Sequence, residues 1–107
     1  EGSGVTIKLF SDKIPIIEGV MEFAKMGLVP AGAYANKRFI GDSVIFDESI
    51  KEEMKDILYD PQTSGGLLIS VEKDKLDTLL QKLEGNSTEY GVIGEVIEKQ
   101  EYSIIVE

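Results

Sequence analysis

Residues 60–68, DPQTSGGLL, lie between a run that reads as a helix, residues 48–59, and one that reads as a strand, residues 67–71. An acid, a proline, three polar side chains and two glycines are more than a plain turn needs. Two readings are open. As a connector, Asp60 and Pro61 stop the helix, Gln62, Thr63 and Ser64 turn the chain with side-chain bonds to backbone, and Gly65-Gly66 permit a bulge on entering the strand. As a ligand-facing loop, the glycines let backbone amides approach a phosphate or a metal-bound nucleotide closely, and Thr63 and Ser64 add hydroxyl donors. The order helix, loop, strand turns the negative end of the preceding helix toward the loop, so dipole attraction from that helix does not favour an anion.

The flanking segments set the fold class. Upstream, residues 5–9 alternate Val5, Ile7 and Leu9 with Thr6 and Lys8, the period of a strand with one buried face. Residues 11–27 predict a helix, with Ser11 or Asp12 as cap, Pro15 in the first turn, an apolar stripe of Ile16, Val20, Phe23 and Ala24, and Gly27 at the end. Between residues 28 and 42 the period fails, and Pro30, Gly32, Asn36 and Gly41 predict a long irregular loop. SVIFD, residues 43–47, reads as a short strand. Asp47 or Ser49 then caps the helix that carries Ile50, Met54, Ile57 and Leu58 on one stripe, with Glu48, Glu52 and Glu53 near its positive end.

Downstream of the strand LLISV, Leu76, Leu79, Leu80 and Leu83 fall at i, i+3, i+4 and i+7 and stop at Gly85, the clearest helical signal in the chain. YGVIGEVIE and YSIIVE are rich in β-formers and separated by Lys99, Gln100 and Glu101, which predicts an antiparallel hairpin. The order is β-α-loop-β-α-β-α-β-β. Amphipathic helices among strands must lay their stripes on a sheet, and a closing hairpin demands an antiparallel pair, so the expected class is α+β with a mixed sheet flanked by helices.

With 107 residues and 42% apolar composition, the chain fits one domain with its own core, and no apolar run approaches the ~20 residues that span a bilayer. The formal charge of -9, without a basic cluster, disfavours nucleic acid and anionic lipid as partners. The chain has neither cysteine nor histidine, which removes thiolate nucleophiles, imidazole bases and the usual zinc ligands; any metal would be a hard ion on oxygen. The lack of cysteine, with no secretory signal pattern, points to a cytoplasmic protein. Asn86-Ser87-Thr88 matches the glycosylation acceptor pattern, which without secretion means no more than a polar loop. The opening EGSG reads as the tail of a helix ending in glycines, so the chain is expected to be a fragment.

Neither the G-x-x-x-x-G-K-[ST] nor the G-x-G-x-x-G phosphate loop is present, and Ser64 has no histidine to activate it. Glu52, Glu53, Asp74 and Glu84 fall on polar helix faces and read as solvated surface rather than metal ligands. No catalytic residue and no metal ligand is therefore assigned. The candidate site is Gln62, Thr63, Ser64, Gly65 and Gly66, with Asn36 beside Gly32 as a second candidate that either positions a cleft or caps its own turn.

DPQTSGGLLISV resembles the signature of the C-terminal domain of the selenophosphate synthetase (selenide, water dikinase) family. GLVPAGAYANKRFIGDSVIFD is similar to that family's upstream segment, and the final helix and β-rich stretches also fit, so the resemblance covers essentially the whole chain. The same signature separates it from the family's fold relatives, aminoimidazole ribonucleotide synthetase, the hydrogenase maturation dehydratase and thiamine monophosphate kinase. The resemblance implies an ATP-dependent enzyme that makes selenophosphate from selenide and water, releasing AMP and phosphate, with magnesium at the nucleotide. It also implies that the reactive cysteine or selenocysteine, its lysine and the magnesium-binding aspartates belong to an N-terminal domain without counterpart in residues 1–107, and that the full-length enzyme is a homodimer. The chain is then a C-terminal domain, inactive alone, forming one wall of an interdomain nucleotide cleft with residues 62–66 facing the phosphates. The alternative is a stand-alone α+β binding or regulatory module without chemistry, because fold does not fix function.

Overall fold

The computed structural model describes residues 2–86 and 88–107. Its elements are β1 (Val5–Leu9), α1 (Val20–Lys25), α2 (Ala31–Ile40), β2 (Val44–Phe46), α3 (Glu52–Leu58), α4 (Leu76–Glu84), β3 (Gly94–Glu98) and β4 (Ile104–Val106). The strands form one mixed sheet in the order β2-β4-β1-β3, in which β4 runs parallel to both β1 and β2 while β3 runs antiparallel to β1. The α+β class expected from the sequence is the class observed.

Pairing of Leu9 and Phe46 with Val106, and of Ile7 and Val44 with Ile104, aligns the apolar residues of three strands on one face. Helix α3 lies against that face at Phe46, which Lys55 and Tyr59 contact. Val106 is almost fully buried, Phe46 meets the Tyr59 ring edge-on at 5.8 Å, and Met54 of α3 and Ala24 of α1 are buried where those helices pack together.

The hairpin expected from residues 90–106 does not form. Strands β3 and β4 lie on opposite sides of β1, and the link between them arches over its end. Thr6, with 0% exposure, holds that arch: its hydroxyl donates to the Tyr102 carbonyl at 2.7 Å and accepts from the Gln100 amide at 2.7 Å. Hairpin pairing would have left β1 with one fewer partner. The sequence shows that both segments are strands; their order comes from pairing on either side of β1, and Thr6 ties down the link between them. Thr6→Val keeps the shape but leaves the Gln100 amide without its acceptor, so it should cost about 1–3 kcal/mol in denaturant unfolding.

Three further expectations are corrected. The helix predicted over residues 11–27 is confined to α1, because Ile14 is extended (ψ 120°) before Pro15 and Gly19 takes φ 86° at the helix entry. The helix predicted over residues 48–59 is shorter at its start: Asp47 accepts from both the amide and the hydroxyl of Ser49, closing a turn ahead of α3 rather than capping it, and Lys51 occupies the N-cap. The strand predicted over residues 67–71 is absent. Leu67 and Leu68 are 91% and 73% exposed, and the positions beside β1 are already taken by β3 and β4. A β-rich composition yields no strand without a partner edge.

The fifth correction concerns the site. The irregular loop expected over residues 28–42 contains α2, a ten-residue helix entered from Pro30 and left at Gly41, which has φ 52°. Two of the four supposed breakers are its boundaries, and Ala31, Ala33, Ala35, Lys37 and Arg38 supply strong helix formers. Only Ala33 is buried in α2, so no apolar stripe announces it.

Helix α4 occurs as expected, with Leu76, Leu79, Leu80 and Leu83 half-buried, and Gly85 follows it. Among the described residues, no helix is long and apolar enough to cross a membrane. Glu1 of the opening EGSG and Ser87 of the Asn86-Ser87-Thr88 pattern lie outside the described residues.

Candidate functional site

Gly32 and Asn36 stand one helical turn apart and therefore share a face of α2. That face meets the segment leading into residues 60–66. The Asn36 side-chain amide donates to the Tyr59 carbonyl at 2.9 Å, at the C-terminal end of α3. Since a carbonyl only accepts, this contact also fixes which end of the Asn36 carboxamide points there. Of the two roles considered for Asn36, capping its own turn is not the one observed; it caps a different helix. At Gly32, an added Cβ would sit 2.7 Å from Cγ and 3.3 Å from Cβ of Pro61, so only glycine lets α2 approach this closely.

Helix α2 thus brings together the two stretches singled out in the sequence. Its first turn, rather than the end of α3, is the positive helix end that adjoins the loop, while Asn36 satisfies one of the carbonyls left open at the end of α3. A pair between Lys37 and Glu52 at 3.6 Å also joins α2 to α3, though both groups are exposed and contribute little. The Lys55 ammonium, hydrogen-bonded to Glu52, holds that carboxyl below its usual range. Burial pushes the Tyr59 phenol above its ordinary value, against the nearby Lys55 charge.

Within the loop, Gln62, Thr63, Ser64, Gly65 and Gly66 are all exposed. The Gln62 side chain folds back over Gly65, where an added Cβ would collide with Oε1 and lie 3.3 Å from Cβ and Cδ of Gln62. Any larger residue at position 65 would push the Gln62 carboxamide aside, and Gly65 is not at positive φ. Gly66 faces open space. A shallow depression of ≈ 230 Å³ lies elsewhere, lined in part by Ser11, Asp12, Met21 and Met54, and includes none of residues 60–66. The loop is an open surface, one side of any pocket it helps to form. Among the described residues, no group of three or more carboxylates is placed to hold a metal ion.

The C-terminal domain of AIR synthase related proteins matches residues 1–107. The chain belongs to this family. It is 48% identical over 107 residues to selenide, water dikinase 2 of Peptoclostridium acidaminophilum, covering 99% of this chain and 30% of that protein. It is 46% identical over 106 residues to the selenide, water dikinase of Caldanaerobacter subterraneus subsp. tengcongensis, covering 97% of this chain and 30% of the relative. Against the selenide, water dikinase of Clostridioides difficile it is 43% identical over 107 residues, 99% of this chain and 31% of that protein. The chain therefore spans about 30% of the length of these curated relatives. The family membership carries the resemblance drawn from DPQTSGGLLISV, and the observed α+β fold agrees with it.

Pro61 and Tyr59 were not named as partners in the sequence reading. The signal that could have exposed them is the spacing Gly32-x-x-x-Asn36, informative only once residues 31–40 are recognised as helical.

Proposed function

We propose that this chain is the C-terminal domain of an ATP-dependent selenophosphate synthetase, which converts ATP, selenide and water into selenophosphate, AMP and phosphate. Residues 62–66 form one wall of its interdomain nucleotide cleft. The observation that carries the reading is the convergence of α2 with the 60–66 loop, since both lie in stretches that resemble the synthetase family. A loop exposed over all of residues 61–66 also suits a surface completed by the larger part of the enzyme.

In this reading the amides of Thr63, Ser64, Gly65 and Gly66 and the hydroxyls of Thr63 and Ser64 donate to phosphate oxygens, and the Gln62 carboxamide assists. Neutral donors are the appropriate groups here, because the chain's charge of -9 opposes a polyanion in general. Magnesium, commonly held by one or two carboxylates together with substrate phosphates, is assigned to the larger part of the enzyme; the described residues do not form a cage for it. The N-terminal domain is the partner, selenide and ATP are substrates of the whole, the full-length enzyme is a homodimer, and it works in the cytoplasm.

The chain alone has no catalytic role. Incubated with ATP, magnesium and selenide it should form no AMP above the blank; AMP formation by the 107-residue chain would overturn this assignment.

A further inference from the structure

We propose that α2 positions the 60–66 loop, with Asn36 and Gly32 as positioning residues for the amides of Thr63–Gly66; this rests on the nucleotide-facing reading of that loop.

The entry to the loop is held at successive points. The Asp60 amide donates to the Ile57 carbonyl at 3.1 Å, Asn36 holds the Tyr59 carbonyl at 2.9 Å, and Pro61 rests against Gly32. On its far side no strand fixes the chain, because residues 66–72 are irregular and exposed. The direction in which residues 62–66 project is therefore set from the entry side. Two of the three holds come from α2, which is itself anchored by the almost fully buried Ala33. Asn36 is suited to this role where aspartate is not, since a carboxylate would oppose two acceptors at the Tyr59 carbonyl. Gly32 sets the closeness of approach. Alanine there improves helix propensity, so harm to the loop from Gly32→Ala cannot come from the helix itself.

The first arm of the test uses the 107-residue chain labelled with nitrogen-15. Asn36→Asp should move the amide resonances of Thr63, Ser64, Gly65 and Gly66 while leaving those of β1–β3 in place and protected from exchange. Gly32→Ala should move the same resonances, and adding Pro61→Ala, which removes the obstructing Cγ, should return them toward their original positions. Loop resonances unmoved in a folded Asn36→Asp protein, or no recovery in the Gly32→Ala/Pro61→Ala pair, would overturn the proposal.

The second arm joins this chain to the remaining part of the Peptoclostridium acidaminophilum relative. Asn36→Asp should raise KM for ATP about tenfold while changing kcat less, a split that a general loss of folded enzyme does not produce. If the loop resonances move but KM for ATP does not, and Gly65→Val is equally silent, the nucleotide-facing reading falls while the hold of α2 on the loop stands.

Discussion

Gly65→Val, introduced into a full-length enzyme containing this domain, is expected to lower ATP turnover by a factor on the order of 10². The cause is local. A Cβ at position 65 collides with the folded-back Gln62 side chain, so either Gln62 is expelled or the backbone carrying the Ser64 to Gly66 amides shifts. Displacing a substrate-holding group by about 1 Å is enough for a loss of that size. Folding is spared because residue 65 is exposed and lies outside every helix and strand. Turnover and melting temperature should therefore separate: a large fall in the first with little change in the second. Gly66→Ala is the paired control, since a Cβ at position 66 meets nothing within 4 Å. Its effect should be much the smaller. Equal turnover in Gly65→Val and the parent would remove the loop from the nucleotide site.

The largest effect on stability is expected at the opposite edge of the sheet. Gly94 opens β3 and stands across from Leu9, and a Cβ there would run into the Lys8 carbonyl oxygen and lie 3.1 Å from Cδ2 of Leu9. The oxygen belongs to backbone inside the sheet, so it cannot move aside as the end of a flexible side chain would. Gly94→Val should separate β3 from β1 at this end and destabilise the domain by about 3 kcal/mol, at or above the upper end of ordinary overpacking. Denaturant unfolding followed by circular dichroism measures it. A destabilisation below about 0.5 kcal/mol would mean that the β1–β3 register differs from the one described.

These two glycines also illustrate what could be read before the structure. The loop was conspicuous in the sequence because its residues are costly in a simple connector, and α4 because its four leucines keep helical spacing to Gly85. Strands β1 and β2 were visible as short alternating or continuous apolar runs. What escaped was whatever tertiary contact decides. Helix α2 buries only Ala33 and contains a glycine and an asparagine, so its local sequence resembles a loop while its contacts with Tyr59 and Pro61 call for a helix. The LLISV segment has strand composition and no vacant place beside β1. Residues 90–106 contain two strands as expected, yet they straddle β1 rather than pair together, and the link between them is tied to a buried hydroxyl 94 residues before Gln100.

The same cause limited the reading of the site. Residues 62–66 and Asn36 were both identified, but their relation was not, because the link between them is the helical face that joins Gly32 to Asn36. Treated as a loop, residues 28–42 offered no means of bringing position 36 to position 59. Once helical, they place a carboxamide against the end of α3 and a glycine against Pro61. The negative end of α3, which argued against an anion at the loop, is thereby partly satisfied by the Asn36 donor.

The most direct measurement is a structure of the full-length enzyme containing this domain, bound to a non-hydrolysable ATP analogue and magnesium. The account predicts at least two of the Thr63–Gly66 amides within about 3 Å of phosphate oxygens, with the Asn36 to Tyr59 bond intact. A nucleotide whose phosphates lie beyond about 6 Å from every one of those amides, too far even for a single bridging water, would contradict it.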